Sequence, residues 1–199
     1  MKGIIVKEKT SLAILLIIAV ICIVAVNPAQ ATPITFSFTG VGSGNLRHLR
    51  DTTVFTDAAF EVLISADTDD MYISPLGNPR IDALSGTIDI SGVGIGTFVE
   101  PLYVFDCQSC VAVGFGNWTE YDLIDLFVIG VGLDTYDLTT PFGPITDLDP
   151  FFGQFNNVKL SIGSLTFTSM SYGTFTAIPE PGTVLLVAVG GLVIRRRKV

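Results

Sequence analysis

The sequence predicts an all-β domain, an antiparallel β-sandwich of the jelly-roll or immunoglobulin-like kind, carried between two short targeting segments. Apolar and polar residues alternate with a period of two in several runs, as in Ile34–Phe38 and Leu165–Met170. Clusters of Gly, Asp, Asn and Pro separate these runs, and no amphipathic helical pattern occurs in residues 32–178. A chain of 199 residues has room for one such domain.

The pattern divides the chain into a signal peptide (1–31), an exported β-sandwich domain (32–177) and a C-terminal tail (178–199). The strand candidates of the middle segment are rich in β-branched and aromatic residues: Ile34–Phe38, Phe60–Ile64, Gly86–Ile90, Gly96–Phe105, Val111–Phe115, Leu123–Ile129, Val158–Ile162 and Leu165–Met170. The predicted turns are Gly40–Asn45, Asp67–Asp70, Ser74–Pro79 and Thr139–Pro150. The longest predicted loop, Thr139–Phe152, is the expected functional surface.

Charge is distributed unevenly along the chain. The middle segment carries 17 Asp and Glu against 4 Lys and Arg, a net charge of −13, whereas both ends are basic. A nucleic-acid-binding protein needs a basic face that neutralises phosphates, and the acidic middle segment lacks one. Nucleic acid is therefore excluded as a predicted partner.

The N-terminal segment has the features of a secretory signal peptide. A start with three lysines precedes Leu12–Val26, fifteen residues without a polar side chain. Small residues follow at Ala29 and Ala31, the two positions that signal peptidase reads, so cleavage is expected after Ala31. The alternative is an uncleaved anchor, but the apolar run is shorter than the ~20 residues that a spanning helix prefers.

The C-terminal segment has three parts in order. Pro179, Glu180 and Pro181 favour an extended backbone outside the folded domain. The apolar run Val184–Ile194 would form a short transmembrane helix of about 18 Å, against a hydrocarbon core of about 30 Å. A basic cluster then holds the C-terminus on the cytoplasmic side: Arg195, Arg196, Arg197 and Lys198.

This three-part tail resembles the PEP-CTERM sorting signal of Gram-negative bacteria. The resemblance covers about a tenth of the chain. It implies that an integral-membrane exosortase recognises the tail and removes it after secretion, so that the inner membrane is a transient partner. The same kind of tail is also labelled as the C-terminal domain of ice-binding proteins.

Few residues in the middle segment suggest catalysis or cofactor binding. The only His, His48, has no nucleophile motif beside it. One His together with one Cys pair supplies too few ligands for a structural zinc site. Cys107 and Cys110 lie between two strand-like runs, which favours a hairpin-closing disulfide over a redox motif at a helix N-terminus. No cofactor and no metal are predicted, and the protein is not expected to be an enzyme.

Two groups of acids leave alternatives open. Asp67, Asp69 and Asp70 are interpreted as solvated turn residues, with Ca²⁺ binding as the alternative, although the Gly and bidentate Glu of an EF-hand are missing. Glu120 and Asp122 would share one face of a strand, as paired carboxylates of a glycosidase do. The acidic strand of some jelly-roll glycosidases continues with a second Glu where this chain has Ile124.

The sequence thus predicts an exported, non-enzymatic protein of the cell surface or extracellular matrix. Its expected partners are signal peptidase, exosortase and an exopolysaccharide. A carbohydrate- or ice-binding module and a glycoside hydrolase are the alternatives. Ice recognition would use threonines spaced by one on a flat strand, and two such pairs occur: Thr166 with Thr168 and Thr174 with Thr176.

Overall fold

The computed structural model describes residues 33–118 and 121–180, which form ten β-strands. The bounds are β1 Pro33–His48, β2 Asp51–Ile73, β3 Pro79–Ile90, β4 Gly94–Thr97, β5 Leu102–Cys107, β6 Ala112–Asn117, β7 Tyr121–Phe127, β8 Phe142–Asp147, β9 Val158–Leu160 and β10 Gly163–Pro179. The described ranges contain no helix, so the predicted all-β class is confirmed. Nothing in these ranges could cross a membrane as a helix.

All strand pairs are antiparallel, and the strands form one continuous sheet. The order is β7-β6-β5-β3-β2-β1-β10-β8, with β4 added to β3 and β9 added to β10. The sheet curls until distant parts meet. Asp125 of β7 pairs with Phe151 beyond β8, and Phe98 beyond β4 pairs with Leu160 of β9. This curled sheet is compatible with the predicted β-sandwich.

The inward side of the curled sheet encloses one aromatic core. The rings of Phe36, Phe38, Phe115, Phe155 and Phe175 are fully buried. The ring centroid of Phe38 in β1 lies 4.9 Å from that of Phe115 in β6 and 5.0 Å from that of Phe175 in β10. Because β1 and β6 are not neighbours in the sheet, the contact between Phe38 and Phe115 holds its two sides together. Burying each ring contributes roughly 1.5–3 kcal/mol.

The prediction of a turn at Gly40–Asn45 is wrong, because these residues continue β1. The glycines at positions 40, 42 and 44 lie on the inward side, under rings of β2 and β10. A methyl group on Gly40 would lie 2.8 Å from the Phe60 ring. Two register shifts against β10, at Val41/Gly42 and Ser43/Gly44, bend the strand here. The glycines therefore serve curvature and ring packing rather than a chain reversal.

Asp67–Asp70, also predicted as a turn, lies inside the 23-residue strand β2. The register between β2 and β3 shifts between Ala66 and Met71, so these four residues form a local irregularity of the strand. The cluster Ser74–Pro79 is a turn as predicted: the Gly77 amide donates to the Ser74 carbonyl oxygen at 2.8 Å, and Gly77 has a φ of 83°.

Two further predictions change in detail. Gly96–Phe105 is not one strand, since β4 ends at Thr97 and β5 begins at Leu102. Thr139–Phe152 is not a free loop, because β8 lies within it and pairs with β10. Pro144 is accommodated there because β8 is the last strand on its side of the sheet order, where a missing N–H donor costs least.

Candidate functional site

Strands β5 and β6 are buried on both sides, unlike the long strands. Their inward residues join the main core, as Val104, Val113 and Phe115 do. Their outward residues form a second buried cluster: Tyr103, Phe105, Cys107 and Ala112. We call the outward side of β5, β6 and β7, with Arg80 of β3, Trp118 after β6 and Phe151 beside β7, the aromatic face.

A glycine in β6 makes room for the groups on the aromatic face. Gly114 pairs with Phe105 on one side and with Asp125 on the other. A methyl group on Gly114 would lie 2.8 Å from the Phe105 ring and 2.7 Å from Asp125 Oδ1. Position 114 therefore has to be glycine for the ring and the carboxylate to lie over the strand.

Tyr103 is held between a cation, an indole ring and a carboxylate. The Arg80 guanidinium carbon lies 4.3 Å from the Tyr103 ring centroid and 6.0 Å from that of Trp118. The centroids of Tyr103 and Trp118 are 5.3 Å apart. The Tyr103 hydroxyl donates to Asp122 Oδ1 at 2.9 Å. Burial is the main cause that raises the pKa of Tyr103, and the charge of Asp122 adds to it.

Asp125 is the buried polar group of this face, with 8% of its surface exposed. Its backbone N–H and C=O exchange two 2.9 Å hydrogen bonds with Phe151. Its Oδ1 has no hydrogen-bond partner among the residues that the structure describes. Burial, followed by the charge of Asp122, raises the pKa of Asp125 to about 7. Near neutral pH this carboxyl is therefore ready to donate or to accept a hydrogen bond.

Asp106 lies on the other side of β5. It is fully buried, and neither carboxylate oxygen has a partner within the described part of the chain. Burial first, and then the charge of Asp134, raises the pKa of Asp106 to about 7. Asp106 faces inward, because side chains alternate along a strand and Tyr103 and Phe105 face outward. It is therefore not part of the aromatic face.

The outward side of the long strands carries mainly hydroxyl groups, with the partly exposed ring of Tyr172 among them. On β1, Thr35, Ser37 and Thr39 lie opposite Ile178, Thr176 and Thr174 of β10. We call this surface, with Thr146 of β8 and the neighbouring side of β2 and β3, the hydroxyl face. The hydroxyls of Thr146 and Thr174 are 2.9 Å apart, and the Ser37 hydroxyl donates to Glu61 Oε1 at 3.1 Å.

The threonine pairs considered for ice recognition are used differently in the structure. Thr174 and Thr176 lie half-buried on the hydroxyl face. The Thr166 hydroxyl donates to Asn156 Oδ1 at 3.2 Å, and the Thr168 hydroxyl donates to the Ser43 carbonyl oxygen at 3.2 Å. Both hydroxyls of the pair Thr166 and Thr168, and that of Thr174 in the second pair, are thus engaged in hydrogen bonds within the chain. This weakens the argument for a repeated threonine lattice.

The structure places the other predicted residues apart from one another. Cys107 and Cys110 are bonded across the β5–β6 turn, with their Cα atoms 5.3 Å apart. Asp67 lies in β2, where its Oδ1 accepts a hydrogen bond from the Asp69 amide at 3.0 Å. Residues 33–118 and 121–180 contain no group of three or more His, Cys, Asp or Glu side chains that could hold a metal ion. His48 ends β1 and is exposed.

Several predicted residues lie outside the described ranges. These are Ala29, Ala31, Glu120, Pro181, the apolar run Val184–Ile194 and the basic cluster from Arg195 to Lys198. Asp122, the predicted partner of Glu120, is described and belongs to the aromatic face.

The two ends of the described domain are paired with each other. Ile34 of β1 lies opposite Pro179 of β10, and the Glu180 amide donates to the Pro33 carbonyl oxygen at 2.9 Å. The Thr35 hydroxyl donates to Glu180 Oε1 at 3.3 Å. The expectation that Pro179 and Glu180 lie outside the folded domain is therefore wrong: the last strand extends into the predicted sorting motif.

No family model, no curated protein and no solved structure matches this chain. The resemblance of the tail stays an expectation from the sequence. The function has to be argued from the residues of the chain itself.

Sequence reasoning missed the residues that make the aromatic face polar. These residues are Arg80, Tyr103 and Asp125, and Asp106 on the inward side of β5 was missed as well. A signal for the two acids does exist: Asp106 follows the apolar run Leu102–Phe105, and Asp125 lies between Ile124 and Leu126. An acid in such a position is buried with its strand and is therefore a candidate for a shifted pKa.

Proposed function

We propose that this chain is an exported, non-enzymatic protein of the cell surface or extracellular matrix, processed at both ends. The observation that carries the proposal is the position of the two targeting segments relative to the fold. β1 begins at Pro33, two residues after the predicted signal-peptidase site, and β10 ends at Pro179, inside the sorting motif. Cleavage after Ala31 and beyond Pro181 would therefore leave every described strand intact.

The composition of the two ends supports this proposal. The basic start and apolar run precede Ala31, and the Pro-Glu-Pro motif precedes a short apolar run with a basic end. In the precursor, the tail would hold the chain briefly at the inner membrane with its C-terminus in the cytoplasm. An exosortase would then release the domain to the cell surface or the extracellular space.

For the domain itself we propose the β-sandwich architecture, jelly-roll or immunoglobulin-like. The contacts between Phe38 and Phe115 support two facing layers, because they join strands that are not neighbours in the sheet. The bridge between Phe98 and Leu160 supports the same arrangement at another place.

Mass spectrometry of the extracellular form tests the processing at both ends. We expect a protein that begins at Thr32 and lacks the residues beyond about Pro181. The matched control is the same chain in an exosortase-deficient strain, where the mass should include Arg195–Val199. If both strains retain Arg195–Val199, the tail is an ordinary anchor. If residues 1–31 are still attached, the signal-peptide assignment is wrong.

A further inference from the structure

The aromatic face exposes three large rings that the core does not use. Trp118, Phe127 and Phe151 are exposed to 57%, 48% and 44%. Phe127 pairs with Ala112 at one end of β6, and Trp118 follows the other end. Six residues of extended strand separate Ala112 from Trp118, about 20 Å. Phe151 pairs with Asp125 at the side of β7. The rings therefore lie along an elongated surface.

The largest of these rings is held in place before any ligand arrives. Trp118 packs on Tyr103, and Tyr103 is itself fixed by Arg80 and by the hydrogen bond to Asp122. A side chain that is already ordered loses little conformational entropy on binding. Exposed, ordered Trp and Tyr side chains are typical of recognition surfaces, because they combine apolar area with a polar atom.

The polar groups between the rings restrict the kind of ligand. Asp122 is only partly buried, and its carboxylate has lone pairs beyond the one that accepts from Tyr103. An apolar partner would cover this carboxylate without replacing its hydrogen bonds to water, at a cost of about 1–3 kcal/mol. A suitable ligand has to supply hydroxyl groups together with flat apolar surface, repeated along its length.

Charge restricts the ligand further. The middle segment has a net charge of −13, and Asp122 and Asp125 both lie on the aromatic face. The strongly negative domain as a whole repels an acidic polymer, even though Arg80 balances one carboxylate of this face. A neutral polymer meets no such repulsion, and its hydroxyl groups can donate to the carboxylate of Asp122.

We propose that the aromatic face binds a neutral polysaccharide in an extended conformation. The apolar faces of the sugar rings stack on Trp118 and Phe151, while sugar hydroxyls donate to the carboxylate of Asp122. The inference rests on the proposed function in one respect, namely that the protein meets its ligand outside the cell. No covalent step is involved.

Affinity electrophoresis of the full chain in native gels tests the inference. The gels contain mild detergent and one of three probes: hydroxyethyl cellulose, dextran or the acidic polysaccharide alginate. We expect at least one neutral polymer to retard the protein and alginate to have no effect. Trp118→Ala should weaken the binding at least tenfold, and Phe151→Ala severalfold. Trp118→Phe, which keeps a ring, should fall between these values.

The matched control is Tyr172→Ala, which removes a partly exposed ring from the hydroxyl face. It should change the binding less than twofold. The proposal is overturned if neither neutral polymer retards the protein, if only alginate does, or if Trp118→Ala binds like the unmodified chain. An equal loss in Tyr172→Ala would likewise overturn it, since the binding would then not be specific to the aromatic face.

Three further readouts distinguish direct sugar recognition from metal-dependent binding, from hydrolysis and from self-association. Loss of retardation in EDTA would assign the binding to a metal ion and overturn direct recognition. Release of reducing ends, abolished by Glu120→Gln, would make the protein a glycosidase. A dimer in sedimentation that Trp118→Ala dissociates would make the aromatic face a protein interface. Because the full chain is used without processing, failure here leaves the mass test of export unaffected, and the reverse also holds.

Discussion

The hydroxyl face and the aromatic face are two outward surfaces of the same sheet, and they differ in how deeply their side chains are buried. On the hydroxyl face, Thr35, Thr39 and Thr174 stay at least partly exposed while their strand neighbours face the core. On the aromatic face, Tyr103 and Phe105 are as buried as residues of the main core. The long strands thus cover the core from one side, and β5 and β6 lie between two apolar layers.

The cause of this difference lies in a few residues. Gly114 lets the Phe105 ring lie over β6, and Arg80 with Trp118 covers Tyr103. Burial on both sides also encloses Asp125 and raises its pKa to about 7. The same packing that stabilises β5 and β6 therefore creates the only outward surface of the described domain where rings and a buried carboxyl meet.

Truncating one ring on each face should give the largest difference in the free energy of unfolding between the two faces. Phe105→Ala removes a buried ring and should lower the free energy of unfolding by about 3–5 kcal/mol. Tyr172→Ala removes a partly exposed ring and should cost less than about 1 kcal/mol. Urea unfolding followed by circular dichroism measures both. Equal losses would show that the outward side of β5 is not a second core.

The free energy of unfolding should depend on pH, because β5 and β7 each hold a buried carboxyl group, that of Asp106 and that of Asp125. In the unfolded chain an Asp has a pKa of 3.8, whereas Asp106 and Asp125 are raised to about 7 in the fold. The stabilisation that comes from keeping these two carboxyls protonated in the fold is fully present below pH 3.8. It is lost as the pH rises to about 7. Asp106→Asn removes the charge, so it should raise stability at pH 8 by about 2–4 kcal/mol and change little near pH 4.

Asp89→Asn is the control for this measurement, because Asp89 is an exposed carboxylate on the hydroxyl face. Its effect should stay within about 0.5 kcal/mol at both pH values. Urea midpoints at pH 4 and pH 8 compare the two variants with the unmodified chain. A gain for Asp106→Asn that is the same at both pH values would contradict a buried carboxyl that titrates near neutrality.

Local sequence patterns predicted the strands with one buried side better than the regions whose packing depends on residues distant in sequence. Ile34–Phe38 alternates strictly, and it is a strand with one side buried, as expected. The prediction failed at Gly40–Asn45 because glycine is read locally as a turn residue, whereas here the rings of Phe60 and Phe167 lie over the glycines. Only the tertiary fold brings these rings there. The aromatic face was missed for the same reason, since Arg80, Tyr103 and Trp118 are distant in sequence.

The Cys107–Cys110 disulfide lies at the edge of the aromatic face, where Cys107 belongs to the outward cluster of buried residues. We expect both cysteines to be oxidised in the native protein. Replacing both by Ala should cost about 1–2 kcal/mol, because a closed loop this short constrains few residues of the unfolded chain. Thiol alkylation before reduction checks the first point, and urea unfolding checks the second. Two reactive thiols in the native protein would contradict the disulfide.

The smallest effect on stability is expected where the hydroxyl face meets the predicted sorting motif. Glu180→Ala removes the exposed contact with the Thr35 hydroxyl but keeps the amide that bonds to Pro33. It should lower the free energy of unfolding by less than about 0.5 kcal/mol. Thr35→Ala removes the same contact without changing the motif, which makes it the matched control. We expect intact-mass analysis to find Arg195–Val199 retained only in Glu180→Ala, because the carboxylate serves recognition rather than folding. Retention in both variants would assign the processing defect to the end of the sheet and contradict a recognition role for Glu180.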